Sequence, residues 1–220
     1  MIIGITGSFG SGKTTVANMF KKYGFKVTNV DKLYHGIYSK DKSLKNKIKK
    51  EFSTLDRNKI KNIVFNDSKR LIKLNKITHP IIIKEIKKEI SAIIKKYAQK
   101  SRIFGTNSVG SKKNTTINKN NNKKLKNGNK INVKVVVDVP LLFEAKIQNM
   151  FDKIIVVKCN KKEQIKRILK KKKYSKIDIN QIIKSQMPLK EKIKKADFVV
   201  DNGKTLNETK TQVKTIISSL

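Results

Sequence analysis

The sequence predicts an α/β fold: a five-stranded parallel sheet with helices on both faces, an inserted helical region and a lid. Three observations predict it. Short apolar runs recur at Ile2–Thr6, Val133–Val137 and Ile154–Val157, as in strands buried on both faces. Segments with apolar residues at helical spacing separate these runs, and that alternation implies a parallel sheet. Between the first run and the first such segment lies a glycine-rich stretch, Gly7–Gly12.

The elements follow in order. Val16, Met19 and Phe20 give the stretch Thr14–Lys22 a helical stripe, and Gly24 stops it. Phe25–Val30 reads as a second strand closed by Asp31. Residues 32–100 carry helical patterns without strand signals. There Pro80 suits the first turn of a helix whose stripe is Ile86, Ile90, Ile93, Ile94 and Tyr97. Residues 101–132 hold nine asparagines and eight Lys or Arg with no acidic residue; such a segment is expected to stay unstructured. Val133–Val137 ends in Asp138, followed by Pro140-Leu-Leu-Phe-Glu144. Lys153–Lys158 is the fourth strand, and Asn160 with Glu163 marks the next helix start, with Ile165, Ile168 and Leu169 inside. The lysine run 170–173 and the polar stretch to Asp178 are expected to be mobile. Phe198–Val200 is the last strand. Thr205 and Glu208 form a capping box for a closing helix with Leu206, Val213, Ile216, Ile217 and Leu220 inside. The core is thus 1–31, 133–169 and 196–220, interrupted by a helical insertion at 32–100, the Asn/Lys-rich segment 101–132 and a lid with following helices at 170–195.

The chain has 220 residues, which suits one domain, and 37% of them are hydrophobic. Its 53 Lys and Arg against 16 Asp and Glu leave a net charge of +37. A basic nucleic-acid-binding protein is one reading of that charge. Yet only Arg57, Arg70, Arg102 and Arg167 are arginines, whereas base readers favour the bidentate arginine fork. Lysine, asparagine and isoleucine share adenine- and thymine-rich codons, so genome composition accounts for the charge better, and no specific nucleic-acid partner is expected. No apolar run is long enough to cross a bilayer. The single cysteine, Cys159, has no internal disulfide partner. A cytoplasmic monomer without membrane contact is the expectation.

The chemistry begins at Gly7-Ser8-Phe9-Gly10-Ser11-Gly12-Lys13-Thr14, which matches G-x-x-x-x-G-K-[ST] and is followed by Thr15. Such a loop turns backbone N–H groups toward phosphate oxygens, and the following helix adds its positive end. Lys13 would reach the β- and γ-phosphates and Thr14 would ligate Mg²⁺. Asp31 and Asp138, each closing a strand, would face the crevice at the carboxyl edge of the sheet. One could activate a hydroxyl and the other hold Mg²⁺, although each could equally cap a loop or helix. Gln164, Arg167 and Lys171 fall on one helical face, either a solvated basic face or a clamp on a transferring phosphate.

Together these motifs resemble the dephospho-CoA kinase family. The likeness rests on Gly4–Ala17, Val30-Asp31 with His35, Asp56-Arg57 with Val64-Phe65, and His79-Pro80. It continues through Asp138–Glu144, Gln164 with Arg167, and Gln186 leading to Lys192, Ala196-Asp197 and Asn202. The resemblance implies a P-loop kinase that moves the γ-phosphoryl of ATP to the ribose 3′-hydroxyl of dephospho-CoA, with Asp31 as base. It implies that Asp31, Arg57, His79, Asp138, Pro140 and Leu141 bind the acceptor, that Thr14 and Asp138 hold Mg²⁺, and that Arg167 and Lys171 clamp the moving charge. His79 could instead fix the turn before Pro80, and His35 reads as structural. Another small-metabolite or nucleoside monophosphate kinase is the alternative within the same fold. Three positions depart from the family pattern: Asn29 stands for an aspartate, Ser8 for a glycine and Lys171 for an arginine.

Overall fold

The computed structural model describes residues 1–104, 133–170, 172 and 174–220. In chain order these form β1 (Ile2–Gly7), α1 (Lys13–Phe20), β2 (Lys26–Asn29), α2 (Val30–Lys40), α3 (Lys42–Phe52), α4 (Arg57–Asn66) and α5 (Ser68–Phe104). Then come β3 (Val135–Asp138), β4 (Lys153–Lys158), α6 (Lys161–Leu169), α7 (Lys176–Ser185), α8 (Leu189–Lys194), β5 (Phe198–Asp201) and α9 (Leu206–Ser218). All four strand pairings are parallel, in the order β2-β3-β1-β4-β5. β1 therefore lies between β3 and β4, and its carboxyl end opens where the chain crosses from one half of the sheet to the other, the usual ligand crevice of such sheets.

Strand side chains alternate between two covered faces. Ile3, Ile5, Val136, Ile155 and Val157 meet Val16 and Phe20 of α1 and Val213 of α9. Ile2, Val135, Val137 and Val156 meet Ile86 and Ile90 of α5, with Leu142 and Phe143. Each such burial is worth about 2 kcal/mol, which is why the strands read as unbroken apolar runs. A third core lies within the insertion, where Leu44, Ile48 and Phe52 of α3 meet Ile60 and Val64 of α4.

Four boundaries differ from the sequence expectation. α5 does not begin near Pro80: it begins at Ser68, capped by Asp67, whose Oδ1 accepts from the N–H groups of Lys69 and Arg70 at 2.8 and 3.1 Å. Pro80 lies inside it. Tertiary packing overrides the local penalty, because Leu71, Leu74, Ile77 and Ile81 bury against the insertion core while Ile82, Ile83 and Ile86 bury against the sheet. Pro80 sits where the helix passes from one core to the other. α5 also continues to Phe104, four residues into the segment expected to be unstructured; residues 105–132 lie outside the described residues. β2 ends at Asn29 rather than Asp31, because the Asn29 side chain caps α2 by accepting from Lys32 N–H at 3.0 Å. The stretch before Asp178 is an ordered helix start, with a Ser175/Asp178 capping box on α7. The Asn160 cap and the Thr205/Glu208 box stand where expected, but Leu206 remains exposed at the first position of α9.

Candidate active site

The loop between β1 and α1 takes its shape from two glycines and one distant asparagine. A Cβ on Gly7 would collide with the carbonyl oxygen of Val157 on the adjacent β4. Gly12 has φ 88°, a left-handed conformation that side chains disfavour, and a Cβ there would collide with Asn202 Nδ2. That same nitrogen donates to Ser11 O at 2.9 Å, so Asn202, just past β5, pins the loop from beneath. Phe9 at the loop's apex is held on both sides: its N–H donates to Gln186 Oε1 at 3.0 Å, and its carbonyl accepts from Gln164 Nε2. No side chain caps the N-terminus of α1, so its first-turn N–H groups remain available to an anion.

Lys13 is buried and curls over its own loop, donating from Nζ to Ser8 O at 3.0 Å and Gly7 O at 3.3 Å. Burial pushes its pKa down, opposed by the carboxylates of Asp138 and Asp31. Thr14 Oγ1 donates to Asp138 Oδ2 at 2.7 Å, and Asn29 Nδ2 donates to the same oxygen at 2.7 Å. The β2–β3 register sets Asn29 opposite Asp138. An aspartate at position 29 would put a second carboxylate against the first, whereas the amide both donates to Asp138 and caps α2. Asp138 Oδ1 is buried without a partner. One orphaned carboxylate oxygen beside a threonine hydroxyl suits Mg²⁺, a hard cation that takes few protein donors and fills its shell with phosphate and water oxygens. Among the described residues no group of three His, Cys, Asp or Glu could form an all-protein metal cage.

Asp31 lies in the first turn of α2, not at a strand end, and its side chain is exposed. Desolvation by the surrounding protein, then the Asp138 carboxylate, raise its pKa, while Lys13, His35 and Arg57 pull it back. Arg57 donates from Nη1 to His35 Nδ1 at 2.9 Å and lies over the Tyr38 ring at 5.5 Å. His35 is thus a partner of Arg57. His79 is half-buried with Nε2 unpartnered, and burial pushes its pKa down, partly offset by Glu144. Pro140 O accepts from Thr6 Oγ1 at 3.2 Å, and Leu141 is half-buried. Arg167 pairs through Nε with Glu163 at 2.8 Å, and its Nη1 would stand 3.5 Å from a Cβ on Gly12, beside the loop. Lys171 lies outside the described residues.

The structure thus brings Lys13, Thr14, Asp138 and Arg167 to the loop, with Asp31 in electrostatic reach. Asn29, Gln164, Gln186 and Asn202 also shape this site. In the sequence Asn29 stood only as a departure, Gln164 as one position on a helical face and a marker of family likeness, and Gln186 and Asn202 as further such markers. Their partners lie 109 to 191 residues away, beyond any local pattern.

A phosphate loop at the carboxyl end of a central parallel strand, flanked by carboxylates and a helical insertion, defines the class of P-loop kinases. Comparison with known proteins narrows the class. The sequence profile of the family described as dephospho-CoA kinase matches residues 1–103 and 111–208. A dephospho-CoA kinase of Bacillus cereus is 31% identical, covering 100% of this chain and 96% of its own length. That of Carboxydothermus hydrogenoformans is 34% identical, covering 98% and 92%. In fold, the chain is similar to a crystal structure from Thermus thermophilus (TM-score 0.70, 24% identity, 100% and 97% covered) and to a dephospho-CoA kinase from Campylobacter jejuni (TM-score 0.59, 24% identity, 99% and 96% covered). The chain belongs to the dephospho-CoA kinase family.

Proposed function

We propose that the chain phosphorylates the ribose 3′-hydroxyl of dephospho-CoA with ATP, giving coenzyme A and ADP, and that the residues gathered at the loop divide the work as follows. The single observation that carries the reading is that a family match along nearly the whole chain coincides with Lys13, Thr14, Asp31 and Asp138 at one edge of the sheet.

The N–H groups of the Gly7–Thr15 stretch, other than that of Phe9, which Gln186 holds, and the N-terminus of α1 hold the ATP phosphates, and Lys13 exchanges its two carbonyl partners for phosphate oxygens. Thr14 Oγ1 and Asp138 supply the protein donors for Mg²⁺, which when bound would neutralise charge on the β- and γ-phosphates. Asp31 takes the proton of the 3′-hydroxyl as its oxygen bonds to the γ-phosphorus; the bond to the ADP oxygen breaks and ADP leaves with the electron pair. The raised pKa of Asp31 brings it closer to working pH, where a base accepts a proton with more driving force. Arg167 and Lys171 stabilise charge on the moving phosphoryl.

On the acceptor side, Arg57, His79, Pro140 and Leu141 line the approach. Residues 170–195 act as a lid that excludes water. Contacts between α7 and α4 support that role: Lys61 pairs with Asp178 at 2.9 Å, and Gln181 Nε2 donates to Asn66 Oδ1 at 2.8 Å.

An ADP-release assay across dephospho-CoA, nucleoside monophosphates and shikimate tests the reading. Turnover with dephospho-CoA alone is expected. Turnover only with the others would sink it, as would tight, steeply salt-dependent nucleic-acid binding without acceptor-linked turnover.

A further inference from the structure

Residues 186–192 touch two parts of the molecule that phosphoryl transfer must bring together. At the near end Gln186 Oε1 accepts the Phe9 N–H of the phosphate loop at 3.0 Å. One residue on, Met187 N–H donates to Glu144 Oε1 at 2.9 Å. At the far end Lys192 Nζ pairs with that same oxygen at 2.8 Å and donates to Pro140 O at 3.3 Å. Pro140 O in turn accepts from Thr6 of β1. The stretch thus runs from the loop's apex to the Pro140–Glu144 turn and back to the strand that carries the loop.

Lys192 is 0% exposed, and its positive charge repels that of Lys13, adding to the downward push on the Lys13 pKa. A buried ion pair is a poor stability device, since a well-packed apolar pair often does as well or better. What the pair does supply is direction: it holds the Pro140 carbonyl and Glu144 in one register with the helix behind them. We propose that Gln186, Glu144 and Lys192 form a brace that couples the phosphate loop to the acceptor wall, so that filling one substrate site orders the other. Gln186 and Lys192 are then positioning residues, acting through Phe9 and through Pro140 and Glu144. The proposal rests on the reading of the Pro140–Glu144 turn as the acceptor wall.

The test is the affinity for MgADP with and without saturating dephospho-CoA, an unreactive pair, measured by calorimetry on the full chain. In the unmodified protein dephospho-CoA should tighten MgADP by about fivefold, the low end of ordinary site-to-site coupling. Gln186→Ala removes one half-buried side chain, and should bring that ratio close to one while leaving the affinity for dephospho-CoA alone nearly unchanged. The paired variant Glu144→Gln/Lys192→Met leaves no buried charge unpaired and should likewise bring the ratio close to one. A ratio near one in the unmodified protein, or a Gln186→Ala protein that keeps the full ratio, overturns the brace. Leu141→Asp separates the two ideas. Weakened dephospho-CoA binding in Leu141→Asp with full coupling in Gln186→Ala removes the brace alone. Unchanged dephospho-CoA binding in Leu141→Asp removes the acceptor-wall reading and the brace with it.

Discussion

The phosphate-loop end of the molecule and its helical insertion are built on opposite plans. At the loop, side chains from remote parts of the chain converge: Asn202 on Ser11, Gln164 on Phe9, and Asn29 and Thr14 on one oxygen of the buried Asp138. In the insertion, α3, α4 and the first half of α5 are neighbours in sequence, pack on their own small core, and meet α7 through charged and polar groups near the surface. The difference follows from what each end handles. A phosphate chain of fixed shape rewards rigid preorganisation, while an acceptor must enter and a lid must move, which favours contacts that open at little cost.

The sharpest way to probe the rigid end is Asp31→Asn. It keeps shape and removes the base, so kcat should fall by about a thousandfold while MgADP affinity is nearly unchanged. Near-normal turnover would move the base elsewhere. Leu44→Ala probes the other end. Leu44 is fully buried in the insertion core, so the change should cost about 3 kcal/mol in thermal or denaturant unfolding. A uniform loss of MgADP affinity in the folded variant would show that the two ends are not separable. Gly12→Ala should weaken MgADP binding about tenfold, through collision with Asn202 and the strain of φ 88°. Adding Asn202→Ala should recover part of that loss, and a failure to recover any would leave backbone strain as the whole effect.

The pH dependence is a smaller effect. Asp31 works as a carboxylate and its pKa is raised. The acid limb of kcat/KM should therefore lie above that of an ordinary aspartate, with activity lost as pH falls through the raised value and regained above it. A limb at or below the ordinary aspartate range would contradict the site described here. Smallest of all is Asp178→Asn, which removes the half-buried pairing with Lys61 near the surface. It should lower kcat/KM by no more than about twofold, and less at high salt. A tenfold loss would mean that the α4–α7 contact is as demanding as the loop.

Much of this was legible in the sequence because it is local. The loop motif, the Asn160 cap and the Thr205/Glu208 box each depend on residues within one or two turns, and the apolar runs locate strands without reference to their partners. Pro80 misled because a local rule met a helix held by two cores at once. Asn29 read as a departure because its value depends on facing Asp138 across a strand pair.

Propensity, periodicity and side-chain type act at short range, so the strands, the phosphate loop, the helical character of the insertion and the groups that can do chemistry are readable from the residues in order. The tertiary structure alone decided which groups share an oxygen or a peptide. It put Asn29 and Thr14 on Asp138, Gln164 and Gln186 on Phe9, and Lys192 beside Glu144. Those choices belong to strand register and helix docking, which sum weak contacts over the whole chain and leave no mark in any short stretch of it.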